Sequence, residues 1–364
     1  MDRRRLLGGL ALASTLPLIG GCKEVIEAVA ESCPSDPAES GGVDWIPDVG
    51  HPLFWGVQEL TTADGAPRPM AIYYPTHHGF TDAPPILKLC VTRWPVVLFL
   101  HGQPPSGFTG AWHRKFELLA AVLARSGYVV VAPVHEAIEP VPGNTQLVTN
   151  AMRDIEFART QWSESEWVDK RPTSTAVMGH SFGALLGARV CAAHPEIGAF
   201  VSLSGGYRRL DDPGPLLNSL TTPSFFMWGQ GDDLILLLFE NLDDNPKLWD
   251  PMTTNKYAAV FQGEHFDYVR PGDSGSALRG PCSLIGAVAA DLAALFISKH
   301  VPVSVSRTKI PIELRPPEVD LTMKQEFFAG GHLNGIAQFQ SRADCRLDLR
   351  WKVSGVTGMR KLGP

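Results

Sequence analysis

The stretch Thr175-Ala176-Val177-Met178-Gly179-His180-Ser181-Phe182-Gly183-Ala184-Leu185-Leu186-Gly187 decides how this chain reads. An apolar, partly β-branched run enters Gly-His-Ser-Phe-Gly, and an alanine- and leucine-rich helical pattern leaves it. A strand that turns sharply into a helix at G-x-S-x-G holds its serine in a strained backbone conformation above a sheet. Gly179 and Gly183 leave room for strand and helix to approach each other. The Ser181 hydroxyl then faces the positive end of the following helix. G-x-S-x-G alone also describes an ordinary glycine-bounded turn. The flanking strand and helix patterns separate the two.

Working outward, Trp94-Pro95 precedes a clean apolar run, Val96 to Leu100, that ends at His101-Gly102. Such a run fits a central parallel strand covered on both faces. Lys115 to Arg125 has helical spacing and stops near Gly127, which launches a second buried strand from Tyr128 to Pro133. A Pro/Gly-rich loop, Glu136 to Asn144, and a helix through Ala151–Phe157 lead to the serine turn. Met70 to Pro75 reads as an earlier strand. Downstream, Ala199–Ser204, Ser224–Trp228 and Lys256–Phe261 read as strands, and Leu284–Ser298 as an amphipathic helix. Strands alternating with helices predict an α/β domain over residues 45–300, its mostly parallel central sheet covered by helices on both faces.

A serine hydroxyl is a poor nucleophile near neutral pH and needs a base, and a third group to orient that base. The strand ends supply both. Gly229-Gln230-Gly231-Asp232-Asp233 follows one strand and Gln262-Gly263-Glu264-His265 follows the next, giving the chain order Ser, acid, His. The candidate triad is Ser181, Asp232 and His265. Asp232 fits the spacing Trp-Gly-x-x-Asp, with its neighbour Asp233 as the alternative acid. A tetrahedral intermediate needs two preset amide donors. The Phe182 amide is one. The second belongs to the loop after Leu100, where Pro104 and Pro105 have no amide hydrogen and Gln103 does. Phe108 and Trp112, near that loop, are candidates to line an acyl pocket, as is the run Leu234–Phe239. His101 and His180 read as packing or loop-bonding residues, and His77-His78 as exposed loop. This chemistry calls for no metal and no organic cofactor.

With these residues in view, the chain resembles the α/β-hydrolase superfamily over about residues 68–300. Within it the chain is similar to the platelet-activating-factor acetylhydrolase, chlorophyllase and dienelactone-hydrolase neighbourhood. The matching pieces are Ile72-Tyr73-Tyr74-Pro75, Pro95 to Gly102, Gly127 to Pro133, Gly179 to Gly183 and Gly263-Glu264-His265-Phe266. The resemblance implies an α/β-hydrolase fold and carboxylic ester hydrolysis through an acyl-enzyme. It departs at Val134-His135, where relatives often continue Asp-His, in having Ser rather than the Cys of dienelactone hydrolase, and after His300. Two other classes share some of these features. A serine peptidase of the prolyl-oligopeptidase type has the same triad but usually a large extra N-terminal domain. A non-catalytic envelope lipoprotein would have no use for an intact triad.

Composition narrows the setting. The 364 residues are 44% hydrophobic with a formal net charge of −6, which leaves no basic excess for nucleic-acid binding. At the amino terminus, Arg3-Arg4-Arg5 and an apolar run to Ile19 precede Gly20-Gly21-Cys22. That pattern predicts an export signal over 1–21, its apolar run too short for a bilayer span of about 20 residues. Arg-Arg-x-Leu-Leu resembles a twin-arginine signal, and Ile19-Gly20-Gly21-Cys22 resembles a bacterial lipobox. Cys22 is thus the expected lipidation site and membrane anchor, the alternative being a disulfide with Cys33. Residues 22–44 read as a flexible tether. Of six cysteines, lipidation of Cys22 leaves five, an odd number, so at least one thiol stays unpaired. Cys191 reads as a small buried hydrophobe. Beyond Val301 the pattern changes. Cys345 to Val353 alternates apolar and charged residues and, with Ile310–Leu314 and Ile336–Phe339, predicts a small C-terminal β extension over 301–364.

Overall fold

A computed structural model describes residues 43–45, 54–62, 67–76, 93–104, 111–135, 145–207, 210–232, 252–269, 285–305, 347–353 and 356–362. In chain order the elements are β1 (Val43–Trp45), β2 (Phe54–Thr61), β3 (Pro69–Thr76), β4 (Val96–Leu100), α1 (Glu117–Arg125), β5 (Val129–Pro133) and α2 (Gln146–Thr160). They continue with β6 (Thr175–His180), α3 (Phe182–Ala193), β7 (Ala199–Leu203), α4 (Gly214–Ser219), β8 (Ser224–Gly229) and β9 (Lys256–Phe261). Last come α5 (Ile285–His300), β10 (Val303–Val305), β11 (Leu347–Val353) and β12 (Val356–Leu362). A 3₁₀ turn, Trp112–Phe116, leads into α1.

Ten of these strands form one sheet in the order β12-β11-β9-β8-β7-β6-β4-β5-β3-β2. The block from β5 to β9 is parallel, with β2, β3, β11 and β12 joined antiparallel at the two sides. The parallel strands read as unbroken apolar runs because they are buried on both faces. Every residue of β4, β5, β6, β7 and β8 is buried. Helix pairs α1–α5 and α2–α3 are in contact, and α3 and α5 both pack on β7. Large rings such as Phe99, Phe116 and Phe200 fill the space between the layers. Each contributes about 1.5–3 kcal/mol by leaving water. The fold is α/β.

The chain steps from β4 to β5 in one direction along the sheet and then from β5 over β4 to β6 in the other. The strand order thus reverses at β4 and β6, and open α/β sheets place their ligands at the carboxyl ends of strands where the order reverses. Residues 101–104 and Ser181 lie at those two ends.

Three local readings change. The spacing of Leu284–Ser298 predicts an amphipathic helix, whereas the described side chains of α5 are buried almost all round, apart from Lys299 and partial exposure at Asp291, Leu295 and His300. The reason is that it packs between the sheet and α1, with Phe296 against Phe225 at 5.4 Å and Tyr257 at 5.5 Å. The alternating tail does form antiparallel strands, β11 and β12, and β11 pairs with β9, so this hairpin continues the central sheet. The sequence pattern did not reveal β2, whose Gly56, Gln58 and Glu59 break its apolar alternation. At the other end of the domain, β1 pairs antiparallel with β10, so Val43 to Trp45 are held against the segment leaving α5. Residues 1–42, Ile310–Leu314 and Ile336–Phe339 lie outside the described residues. Among the described residues no helix is long and apolar enough to cross a membrane.

Candidate active site

Ser181 sits between β6 and α3 with φ 54° and ψ −119°, a positive φ that a non-glycine residue rarely adopts. Such a conformation costs about 1–3 kcal/mol and persists only when its surroundings hold it. Here the backbone supplies the hold. The Ser181 amide donates to Leu203 O at 2.8 Å, and Ser181 O accepts from the amides of Gly206 at 2.8 Å and Ala184 at 3.0 Å. The glycines on either side are required by contact. A Cβ on Gly179 would lie 2.3 Å from Gly183 O, and one on Gly183 would lie 2.0 Å from Leu100 O. Ser181 is half-buried, while His180 and Phe182 beside it are buried.

The acid and the imidazole come from the ends of β8 and β9, two adjacent parallel strands whose loops are tied together. The Gln230 amide donates to Phe261 O at 2.7 Å and the Gly231 amide to Gly263 O at 2.9 Å. The approach is so close that a Cβ on Gly229 would lie 2.2 Å from Gly263 O. The histidine loop is closed by Asp267, whose Oδ2 accepts from the Glu264 amide at 2.7 Å. Within this double loop, His265 Nδ1–H donates to Asp232 Oδ2 at 2.8 Å. Both side chains are buried, Asp232 fully. Asp232, and not a more distant acid, therefore faces the imidazole. Asp233 lies outside the described residues, as do Phe108, Leu234–Phe239, His77-His78 and Cys22.

The loop after β4 approaches Ser181 directly. A Cβ on Gly102 would meet Ser181 Cβ at 2.8 Å, so Gly102 packs on Ser181 and Gln103 follows it, exposed. Two side chains shape this loop. Trp112 donates its indole N–H to Gly102 O at 2.9 Å and packs edge-on against Phe116 and Phe266. At 4% exposure, with its polar atom committed to the loop, Trp112 braces the stretch that carries Gln103. His101 Nδ1–H donates to Gly102 O at 2.7 Å, and its Nε2 accepts from the His135 amide at 3.3 Å. The His135 ring stacks on it at 4.0 Å. Burial pushes the His101 pKa down to about 4, since a charged ring there would lose its water.

His180 is fully buried and its Nε2–H donates to the carbonyl of His265 at 2.8 Å. Its pKa is lowered well below the usual imidazole value, chiefly by desolvation and then by the neighbouring His265. Sequence gave His101 and His180 a packing or loop-bonding part without naming partners. Those partners, Gly102 O, the His135 amide and His265 O, come from residues up to 85 positions away and leave no local signal. Cys191 is buried in α3 and carries no disulfide, and burial pushes its thiol up in pKa, away from reactivity.

The arrangement can do one kind of chemistry well. A strained, half-exposed serine at a helix N-terminus follows His180, whose ring bonds the backbone of His265, an imidazole backed by a buried carboxylate. Sequence comparison adds a limited likeness. No family model matches the chain. The acylamino-acid-releasing enzyme of Rattus norvegicus is 30% identical over 113 residues, which cover 29% of this chain and 14% of that enzyme. The chain thus shares a stretch of sequence with a small part of a much longer protein.

Proposed function

We propose that this chain is a serine hydrolase of the α/β-hydrolase type that cleaves carboxylic esters through an acyl-enzyme on Ser181. The observation that carries the reading is the 2.8 Å contact between His265 Nδ1 and Asp232 Oδ2, held at strand ends beside a serine in a strained strand-to-helix turn. The sheet order, with β2 and β3 antiparallel beside a parallel block, supports the same fold type. In the forward step the Ser181 oxygen attacks the ester carbonyl and its proton passes to His265 Nε2. Asp232 keeps Nδ1 protonated and stabilises the imidazolium. The Phe182 and Gln103 amides hold the oxyanion, and the α3 N-terminus adds its dipole. Collapse expels the alcohol with the proton from His265. Water, activated by the same imidazole, then releases the acid and restores Ser181.

The test is Ser181→Ala, assayed on p-nitrophenyl esters beside a fluorophosphonate probe. Loss of the nucleophile lowers kcat on the order of 10⁴–10⁶-fold and abolishes labelling. Labelling retained in this variant would end the proposal. The similarity to an enzyme named for releasing acylamino acids favours one second reading, hydrolysis of N-acylated amino acids or peptides. A parallel panel of N-acyl amino-acid amides separates it, because the same triad serves both and only the leaving group differs.

The setting proposed is the bacterial envelope, with the chain exported by its amino-terminal signal and anchored by lipid on Cys22. The support is the lipobox-like Ile19-Gly20-Gly21-Cys22 alone. Cys22→Ser is expected to release the protein from membranes with esterase activity unchanged. Equal labelling of both forms by a fatty-acid analogue would refute lipidation there.

A further inference from the structure

We propose that His180 is a positioning residue for the catalytic imidazole, tying the backbone of His265 to the nucleophile elbow through its Nε2–H. The inference rests on the ester-hydrolase reading above. In the sheet, β6 and β9 are separated by β7 and β8, so the serine and histidine loops grow from strands three places apart. At a strand spacing of 4.7–4.9 Å that is about 14 Å. The ladder fixes their relation only through three successive pairings. The His180–His265 bond, at 2.8 Å, joins the two loops directly, one residue before Ser181.

The ring is held so that it cannot turn away. Its acceptor is a carbonyl, so Nε2 carries the proton and Nδ1 does not. Nδ1 has no hydrogen-bond partner and lies against Gly102, where a Cβ would come within 2.7 Å of it. Phe116, Phe266, Tyr268 and His265 surround the ring with centroids 4.8–5.9 Å away. One imidazole therefore touches the oxyanion loop, the serine turn and the histidine loop together. A core residue serving packing alone would have no use for the nitrogen. His180 touches no substrate in this scheme, so its loss acts on the geometry of proton transfer, where a displacement of about 1 Å can cost on the order of 10²-fold in rate.

Gln and Met make a matched pair for the test. Both are unbranched and of similar length, and Gln places an N–H donor near the position of Nε2 while Met has none. Wild type, H180Q and H180M are assayed on one soluble p-nitrophenyl ester, with active sites counted by fluorophosphonate titration and folding checked by thermal melting. The expected result is a kcat lowered on the order of 10²-fold in H180M at unchanged KM, with H180Q recovering most of the loss. H180M with wild-type kcat, or H180Q as impaired as H180M, overturns the proposal. Failure of both variants to fold also overturns it, since His180 would then be needed for the core and not for position. A wild-type chain with neither ester turnover nor probe labelling would instead remove the hydrolase reading, a result distinct from any difference between the variants.

Discussion

Replacing Gly183 by alanine tests whether the serine turn is held by backbone contact. The added Cβ would lie 2.0 Å from Leu100 O and 2.5 Å from His101 O. An ordinary carbon–oxygen approach is about 3.3 Å, so the start of α3 and the end of β4 must part by about 1.3 Å. The Leu100 carbonyl has little room to retreat, because β4 is paired with β6 as far as Leu100 and Gly179. The helix must lift instead, taking Ser181 and the Phe182 amide with it. Overpacking of this kind costs about 1–3 kcal/mol, of which the better helix propensity of alanine returns at most about 1 kcal/mol. Urea denaturation is expected to show a lower midpoint at unchanged slope, worth about 1–2 kcal/mol. If Ser181 is the nucleophile, kcat on a p-nitrophenyl ester falls on the order of 10²-fold as well. Gly187→Ala is the control, since its Cβ would meet only side-chain atoms, of Phe200 at 2.9 Å and Val177 at 3.0 Å, which can shift. Wild-type midpoint and kcat in G183A, or equal losses in the two variants, would refute the reasoning.

Two further outcomes follow from the side chains around the turn. Asp232→Asn is expected to lower kcat by about 10⁴-fold at fixed pH while Asp233→Asn stays near wild type, because Asp232 Oδ2 accepts from His265 Nδ1; the reverse order would reassign the acid. His101 accepts a proton near pH 6.5 when unfolded and only near pH 4 when folded, so its contribution to stability is complete above 6.5 and is lost as pH falls toward 4. Over that window the loss approaches about 3 kcal/mol, and His101→Asn, which cannot titrate, is expected to show a shallower fall of denaturation midpoint between pH 7 and pH 4.5.

The parallel block was legible because burial on both faces leaves unbroken apolar runs: Val96–Leu100 and Lys256–Phe261 have the same bounds in sequence and structure. The order of Ser181, Asp232 and His265 was legible because each follows such a run. Edge elements were harder. β2 is partly exposed and its Gly, Gln and Glu obey no clean period, and β1 is three residues long. The alternation of Leu347–Val353 marked a strand but not its partner, since register with β9 depends on residues about 90 positions earlier. For the same reason sequence could not show that Trp112 reaches back to Gly102 O, or that His180 reaches forward to His265 O.

Among the imidazoles at the strand ends, His101, His180 and His265 differ in what each nitrogen meets, and that decides what each ring can do. His101 gives its Nδ1–H to a carbonyl and accepts an amide on Nε2, so both nitrogens are committed and the ring stays neutral. His180 also donates to a carbonyl, and its bare nitrogen is shut against Gly102 in a fully buried place where a charge would be poorly solvated. A carbonyl can fix a tautomer, but it carries no full charge to offset an imidazolium in a buried place. His265 alone of the three has a carboxylate on Nδ1, and that carboxylate is itself buried, so the attraction is weakly screened. Protonation is thus costly on His101 and His180. In the proposed mechanism, what marks His265 out as the base is less the imidazole, which is common to all three, than Asp232 behind it.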